Sequence, residues 1–174
     1  MINQLYTNIE DCYLKIGTSS YIKKWFDINF DNLKFDIDIF DWAAEECPRE
    51  IWLSEPTLSL VHSQFPILRA GFLRIDPFKC YDWHTDTTRG LTINCIMTPE
   101  VNSLCVFGNS ITSTLFDCVQ LIYAPNSFYL FNTQISHMVL NLDSPRYMFG
   151  VEFEQDKTLL SYFQVKNWLT TKLK

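Results

Sequence analysis

The chain has 174 residues, a length that one domain with a substantial buried core accounts for. Hydrophobic residues make up 47% of it and aromatic residues 16%, which argues against disorder over the whole chain. The formal net charge of −6 and the pI near 5.0 argue against a broad phosphate-binding surface, so nucleic acid is not the expected partner.

The cysteines are scattered and include no CxxC pair: Cys12, Cys47, Cys80, Cys95, Cys105 and Cys118. An even count would suit disulfides in a secreted protein, but the N-terminal stretch lacks the basic start and apolar core of a signal peptide. No apolar run approaches the length of a membrane span. We therefore predict reduced thiols in a cytoplasmic protein that does not cross a membrane.

The N-terminal part of the chain predicts edge strands followed by short helices. Residues 1–16 alternate loosely between apolar and polar, which favours one or two strands at a sheet edge. The segment SSYIKKWF predicts a helix capped by serine at its start, Ser19. Residues 39–47 and 57–65 predict two further helices, of which the first is stopped by Pro48.

From Ile67 onward the pattern changes to short runs rich in β-branched, leucine and aromatic residues, separated by turn residues. The runs are ILRAGFLRI, KCYDWHTD, LTINCIM, SLCVFG, VQLIYA, SFYLFN, ISHMVLN and RYMFGVEFE. Such a succession of short strands predicts a mainly β fold, a closed sandwich or jelly roll. After Asp156, apolar residues at helical spacing predict a C-terminal helix.

A candidate metal site begins with His84 and Asp86, which stand two residues apart in YDWHTD. In an extended segment the two side chains point the same way and can hold one ion. Two other histidines could supply a third ligand. His62 lies among apolar residues of a predicted helix and is assigned to packing or surface, whereas His137 lies on the seventh predicted strand. Two histidines and one carboxylate form the facial arrangement of non-haem Fe(II) oxygenases, which leaves coordination positions open.

An arginine follows the last candidate ligand at the start of the eighth strand. Arg146 opens the apolar run RYMFGVEF, where a charge needs a partner. Its planar guanidinium suits a carboxylate. A salt bridge with Asp143 or Glu152 is the structural alternative, and the residues alone leave both interpretations open.

The order His84-x-Asp86, then His137, then Arg146 resembles the Fe(II)- and 2-oxoglutarate-dependent dioxygenase superfamily over about residues 67–154. The resemblance implies a double-stranded β-helix of the jelly-roll or cupin type, with helices flanking it at both ends. It also implies iron binding by the two histidines and the aspartate, with O2 as oxidant, and binding of the distal carboxylate of 2-oxoglutarate by the arginine. The stretch HTDTTRGLTIN is similar to the aspartyl/asparaginyl hydroxylase-like and phage-borne branches.

Three further residues are candidates for the same site. Asn94 stands inside the apolar run LTINCIM, so its amide either bonds backbone or touches the near carboxylate of 2-oxoglutarate. Arg89, just after the metal motif, could reach that carboxylate or an acidic substrate group, and a solvated loop arginine is the alternative. Tyr81 matches a tyrosine of prolyl hydroxylase-like members, with core packing as its other interpretation.

One position departs from the superfamily pattern. Many members place a serine two residues after the cosubstrate arginine, where it shares the carboxylate, and here that place holds Met148. Another hydroxyl must then help, or the arginine acts without one. Tyr123, Tyr129 and Thr92 are the candidates by strand location.

The predicted organisation is one domain: residues 1–66 as N-terminal support, 67–154 as the β-helix core and 155–174 as the C-terminal helix. The predicted function is a dioxygenase that hydroxylates an amino-acid, peptidyl or small-molecule substrate and releases succinate and CO2. One alternative is a catalytically silent binding or structural module of the same fold. Another is a zinc enzyme on the same ligands, although zinc would not explain the arginine. The sequence indicates neither the primary substrate nor the oligomeric state.

Overall fold

The computed structural model describes residues 8–39, 42–98, 102–110 and 116–172. The helices in these ranges are α1 (Ile9–Cys12), α2 (Tyr21–Asn29), a 3-10 turn (Phe30–Asn32), α3 (Arg49–Leu53), α4 (Pro56–Gln64) and α5 (Tyr162–Lys172). The strands are β1 (Tyr13–Thr18), β2 (Ile37–Ile39), β3 (Trp42–Glu46), β4 (Ile67–Ile75), β5 (Cys80–His84), β6 (Thr92–Ile96), β7 (Ser103–Ser110), β8 (Phe116–Gln120), β9 (Ser127–Phe131), β10 (His137–Asn141) and β11 (Arg146–Phe153).

Two antiparallel sheets form the framework. The major sheet has seven strands in the order β1-β9-β6-β11-β4-β3-β2, and the minor sheet has four in the order β5-β10-β7-β8. Strands that are distant in sequence are therefore neighbours, as in a jelly roll. The predicted fold class, mainly β with helices at both ends, is confirmed.

The major sheet separates two hydrophobic clusters. On β11, Phe149 and Val151 face a cluster that includes buried residues of α2, α4 and α5. Met148, one position away from Phe149, faces a second cluster shared with Cys105 and Phe107 of the minor sheet. Side chains alternate between the faces of a strand, so the first cluster packs the helices on the outside and the second fills the space between the sheets.

Seven of the eight predicted strands are observed close to their predicted positions, and the fifth is shifted. The observed strand, β8, ends at Gln120, so most of the predicted run 119–124 lies beyond it. Leu121 N still donates to Cys105 O at 2.8 Å, but Ala124 N donates to the hydroxyl of Tyr129 at 2.9 Å. At Ala124 a side-chain hydroxyl, rather than the backbone of a neighbouring strand, accepts from the main chain.

The helix predicted over residues 39–47 is wrong. Residues 42–46 form β3, in which Ala44 pairs with Leu73 of β4 and Ala43 pairs with Arg74. Alanine and glutamate are good helix formers, but intrinsic propensity is a small term, and pairing with an otherwise open sheet edge outweighs it. Residues 40 and 41 of the predicted helix lie outside the described residues.

The remaining helix predictions are confirmed as α2, α4 and α5. The strand predicted within residues 1–16 is seen only in part: β1 begins at Tyr13 and lies at one edge of the major sheet, whereas residues 9–12 form α1. Residues 1–7 lie outside the described ranges. Val165 and Leu169 of α5 are fully buried in the outer cluster. Within the described ranges, no helix combines the length and the apolar character that crossing a membrane requires.

The start of α2 is held by a buried carboxylate from elsewhere in the chain. Glu55 is fully buried, and its Oε1 accepts hydrogen bonds from Ser19 Oγ at 2.9 Å and from Ser20 N and Ile22 N at 2.8 Å. Ser19 Oγ in turn accepts from Lys23 N at 3.2 Å. The N-cap residue is Ser20, whose side chain makes no cap bond, so the Glu55 carboxylate and the Ser19 hydroxyl together supply the acceptors at the helix N-terminus.

We expect Glu55→Ala to destabilise the fold by about 1–3 kcal/mol, because it leaves buried donors at the start of α2 without an acceptor. Urea unfolding followed by circular dichroism measures the change. Glu50→Ala, which removes an exposed carboxylate from α3, is the matched control and should leave the unfolding midpoint almost unchanged. Equal midpoints for the two variants would contradict this role for Glu55.

Candidate metal centre

The three predicted metal ligands converge at one end of the minor sheet. His84 is the last residue of β5 and His137 the first of β10, and the two are directly paired across the strands. Asp86 follows in the loop after β5. Its Oδ1 lies 3.7 Å from His84 Nε2 and 4.0 Å from His137 Nε2. One ligand atom from each residue lies within 4.8 Å of the others, a spacing that one metal ion can bridge.

Backbone carbonyls orient both imidazoles. His84 Nδ1 lies 2.6 Å from the carbonyl oxygen of Asp82, and His137 Nδ1 lies 2.9 Å from that of Ile135. A carbonyl only accepts, so each Nδ1 must carry the hydrogen and each Nε2 keeps its lone pair. Both lone pairs are thereby free for a metal ion.

Asp86 divides its two oxygens between different partners. Its Oδ2 accepts from Arg89 Nε and Nη2, both at 2.7 Å, while Oδ1 faces the two histidines. Arg89 thus fixes the carboxylate with one oxygen directed into the centre. The cosubstrate role predicted for Arg89 stays a prediction, because in this structure its guanidinium is engaged by Asp86.

The loop that carries Asp86 and Arg89 is fastened to the segment before β10. Asp86 N donates to Thr133 O at 3.0 Å, and Gln134 Nε2 donates to Asp86 O at 3.0 Å and to Arg89 O at 2.7 Å. Thr133 Oγ1 also donates to Arg89 O at 2.6 Å. Sequence reasoning missed Thr133 and Gln134, and their polarity immediately before the strand of His137 was the available signal.

His137 is held in an apolar environment. Its ring centroid lies 4.9 Å from that of Phe131 and 5.9 Å from that of Phe107. Burial lowers the pKa of His137 to about 4 from its ordinary value of 6.5. The imidazole is therefore neutral near pH 7, the form in which it can coordinate a metal ion.

Arg146 is buried between the sheets, with 3% of its surface exposed. Its Nη1 donates to Ser103 Oγ at 3.0 Å, its Nη2 contacts Met148 Sδ at 3.6 Å, and its Cζ lies 5.2 Å from the centre of the Tyr123 ring. The Nε has no hydrogen-bond partner within the described part of the chain.

The acidic residues that could have neutralised Arg146 are engaged elsewhere. Glu152 pairs with Arg69 at 2.7 Å, and Asp143 is bonded by Asn102. No acidic side chain of the described ranges forms an ion pair with Arg146. A buried guanidinium without a counter-charge is costly, so this position suits the carboxylate of a bound molecule.

Tyr123 and Asn94 complete the polar surface around Arg146. The Tyr123 hydroxyl is buried without a well-aligned hydrogen-bond partner among the described residues, and it lies near Asn94 and Cys105. Burial raises the pKa of Tyr123, so the phenol stays protonated and can donate. Asn94 is 6% exposed, on the inner face of β6.

The two other candidate hydroxyls have partners of their own. Thr92 Oγ1 donates to Val151 O at 2.7 Å and also lies 3.2 Å from Asn94 Oδ1. The Tyr129 hydroxyl accepts from Ala124 N at 2.9 Å. Neither hydroxyl contacts Arg146, so both have structural roles here.

Two further residues singled out from the sequence are Tyr81, which lies beside the candidate metal centre, and His62, which lies away from it. The Tyr81 ring lies edge-on to that of His84, with centroids 4.1 Å apart, and supports this ligand from the side. His62 packs against Trp52, 5.3 Å between ring centroids, and its Nδ1 accepts from Ile67 N at 2.9 Å. The packing role predicted for His62 is confirmed.

Solved structures share the fold of this chain. No family model matches the chain, and no curated protein matches its sequence. HygX from Streptomyces hygroscopicus, solved with nickel, 2-oxoglutarate and hygromycin B bound, superposes with a TM-score of 0.59 at 10% identity over 84% of each chain. The viral collagen prolyl hydroxylase of Paramecium Bursaria Chlorella virus-1, solved with 2OG, gives 0.55 at 12% identity over 80% of this chain and 93% of that one.

A third match belongs to the same class of protein. An oxidoreductase of the 2OG-Fe(II) oxygenase family from Burkholderia pseudomallei gives a TM-score of 0.54 at 9% identity, over 83% of this chain and 84% of that one. The chain therefore has the jelly-roll fold of the 2OG-Fe(II) oxygenases, and the predicted resemblance to that superfamily is confirmed at the level of the fold. The branch within the superfamily stays a prediction.

We expect Arg89→Ala to weaken metal binding by about 10- to 100-fold, because Asp86 loses the partner that orients it. Calorimetric titration of the purified protein with Ni²⁺ measures the affinity. Arg69→Ala, which removes the exposed pair with Glu152, is the matched control and should bind Ni²⁺ like the wild type. Unchanged affinity in Arg89→Ala would show that the backbone bonds to the loop orient Asp86 without help.

We expect the metal-free protein to lose stability through His137 as the pH falls from about 6.5 to about 4. The unfolded chain takes up this proton at the higher pH and the folded chain only at the lower one, so acid favours unfolding within that window. The loss is on the order of 3 kcal/mol. Urea unfolding at several pH values measures it, with His137→Gln for comparison. The same pH dependence in both proteins would contradict the effect.

Proposed function

We propose that this protein is an Fe(II)- and 2-oxoglutarate-dependent dioxygenase that hydroxylates its substrate and releases succinate and CO2. The observation that carries the proposal is the combination of two separate features in one jelly roll. One ligand atom of each of His84, Asp86 and His137 lies within 4.8 Å of the others, and the buried Arg146 lacks a counter-charge among the described residues. The first feature suits a metal ion and the second suits a carboxylate.

The proposed ligands match the charge and geometry that Fe(II) requires. Two neutral imidazoles and one carboxylate partly offset the charge of the ion and leave adjacent positions open. The bound iron would supply the activation of O2 coupled to oxidative decarboxylation of 2-oxoglutarate. Arg89 keeps one oxygen of Asp86 directed at the ion, and the rings of Phe107 and Phe131 keep water from the side of His137.

The proposed cosubstrate pocket lies between the sheets. Arg146 would bind the distal carboxylate of 2-oxoglutarate, with the Tyr123 phenol as a second donor. Asn94, on the inner face of β6 beside Tyr123, would hydrogen-bond the near carboxylate. All three side chains are at least nine-tenths buried, so the pocket can take a dianion out of water only by matching its charge.

The proposal also covers the substrate class, the domain organisation and the cellular location. We propose an amino-acid, peptidyl or small-molecule substrate, since the acidic balance of the chain does not favour nucleic acid. We propose one domain, because α2, α4 and α5 share a hydrophobic cluster with the major sheet. We propose a cytoplasmic location, because all six cysteines are free thiols.

The wild-type protein should develop a weak visible charge-transfer band when it is titrated without oxygen with Fe(II) and then 2-oxoglutarate. Both additions should raise the melting temperature, because each binds the folded chain alone. Admission of O2 should then give succinate. If neither addition shifts the melting temperature, the oxygenase proposal fails. A shift with Zn²⁺ alone would favour a zinc enzyme, and binding without succinate across a broad substrate panel would favour a silent module.

We expect Arg146→Ala to lose 2-oxoglutarate binding while it retains the metal, because the guanidinium contacts none of the three metal ligands. Calorimetric titrations with Ni²⁺ and then with 2-oxoglutarate separate the two affinities. The control is Arg74→Ala, which removes a guanidinium paired with Asp76 from the neighbouring strand β4. Equal losses of metal and 2-oxoglutarate would show that Arg146 has a structural role.

A further inference from the structure

A turn near the C-terminus lies directly against the loop that carries Asp86. The Asp86 loop comprises residues 85–91 between β5 and β6, and the C-terminal turn comprises residues 156–160 between β11 and α5. Lys157 N donates to Thr88 O at 2.8 Å, and Lys157 Nζ donates to Asp86 O at 3.3 Å. Lys157 therefore contacts the Asp86 loop through both its backbone and its side chain.

Gly90 lets the two segments approach this closely. A Cβ atom at this position would lie 2.2 Å from Leu160 O and 3.3 Å from Lys157 Cα. The first distance is far below van der Waals contact and both atoms belong to the backbone, so a larger residue would have to displace the turn or the loop. The glycine thus marks a contact between the C-terminal turn and the Asp86 loop that leaves no room for a side chain.

The C-terminal turn has its own restraints. Asp156 O accepts from Leu160 N at 2.8 Å, and Asp156 Oδ1 accepts from Thr158 N at 2.8 Å. Leu160 is 2% exposed and belongs to the cluster that packs the helices, and the Tyr162 hydroxyl donates to Glu10 O at 2.7 Å. A turn that is fixed by its own hydrogen bonds and by the core can restrain a loop that packs against it.

Asp86 is the proposed metal ligand that most needs such a restraint. His84 and His137 are residues of paired strands, whereas Asp86 lies beyond the end of β5. Its carbonyl oxygen accepts from Gln134 Nε2 and from Lys157 Nζ, so neither bond competes for the carboxylate. The backbone of Asp86 is therefore restrained from two separate parts of the chain, while its side chain stays available to a metal ion.

We propose that Lys157 is a positioning residue of the metal centre, an inference that rests on the proposed function. Together with the packing of the C-terminal turn on Gly90, its hydrogen bonds keep the Asp86 loop where the carboxylate meets the two histidines. The charge of the ammonium group opposes this effect, because a cation near the centre repels a metal ion. Removal of the ammonium group therefore weakens metal binding if Lys157 acts by positioning, and strengthens it if repulsion alone matters.

The first test replaces Lys157 and measures the Ni²⁺ affinity by calorimetric titration. Lys157→Met keeps most of the aliphatic stem but loses the donor, and it should weaken Ni²⁺ binding about 3- to 10-fold, as expected for one hydrogen bond. Lys157→Arg keeps a charged donor and should bind Ni²⁺ nearly like the wild type. Lys24→Met, which removes the same charge from an exposed lysine of α2, is the control and should not change the affinity.

The second test displaces the C-terminal turn from the Asp86 loop. Gly90→Ala should weaken Ni²⁺ binding about 10-fold, because the added methyl group shifts the loop that carries a ligand. Gly71→Ala is the control, since a Cβ atom there would lie 2.8 Å from another backbone oxygen, Glu45 O, within the major sheet. Both glycine variants should lower the urea unfolding midpoint of the metal-free protein, but only Gly90→Ala should lower the Ni²⁺ affinity.

Unchanged or tighter Ni²⁺ binding in Lys157→Met would overturn the inference, and so would equal losses of affinity in Lys157→Met and Lys24→Met. The lysine variants change exposed side chains, so they decide the question even if Gly90→Ala does not fold. In each of these cases, Ni²⁺ binding by the wild type would leave the proposed function standing. A wild-type protein that binds neither Ni²⁺ nor Fe(II) would instead overturn the proposed function itself.

Discussion

The antiparallel pairing of β5 with β10 places His84 and His137 opposite each other, and the geometry of the metal centre depends on that contact. A paired position on neighbouring strands brings two side chains within a few ångströms without help from a flexible loop. The third ligand, Asp86, lies beyond the strand and needs separate restraint. Thr133 and Gln134 supply that restraint from the segment that leads into β10, so all three ligands are ultimately fixed by the position of one strand.

The charge of Arg146 is a second constraint, because the fold buries it and no described acidic residue neutralises it. A guanidinium between two sheets costs several kcal/mol unless an anion compensates it. The surrounding groups only reduce this cost: Ser103 accepts one hydrogen bond and the face of the Tyr123 ring lies under the cation. The proposed carboxylate site would thus cost stability while it is empty, a common arrangement where a binding group must be ready before its ligand arrives.

Much of the strand framework could be predicted, because the alternation of apolar and polar residues and the turn residues between strands are local signals. The candidate site could be found for the same reason, since His84, His137 and Arg146 lie on predicted strands and Asp86 follows His84 by two residues. The features that could not be predicted depend on which strands pair and on how the two sheets face each other. Residues 42–46 form a strand only because an edge of β4 is open to them, and Ser103 meets Arg146 only because two sheets face each other. A single sequence contains no local signal for either contact.

The separation of the three proposed metal ligands along the chain has a consequence for how the protein would bind an ion. His84 and Asp86 are close in sequence, whereas β6, β7, β8 and β9 separate them from His137, so the complete cluster depends on long-range strand pairing. An unfinished chain offers two ligands and holds a cation weakly. Under the proposed function, tight binding would therefore require an assembled minor sheet, and a bound ion would stabilise the folded chain over the unfolded one.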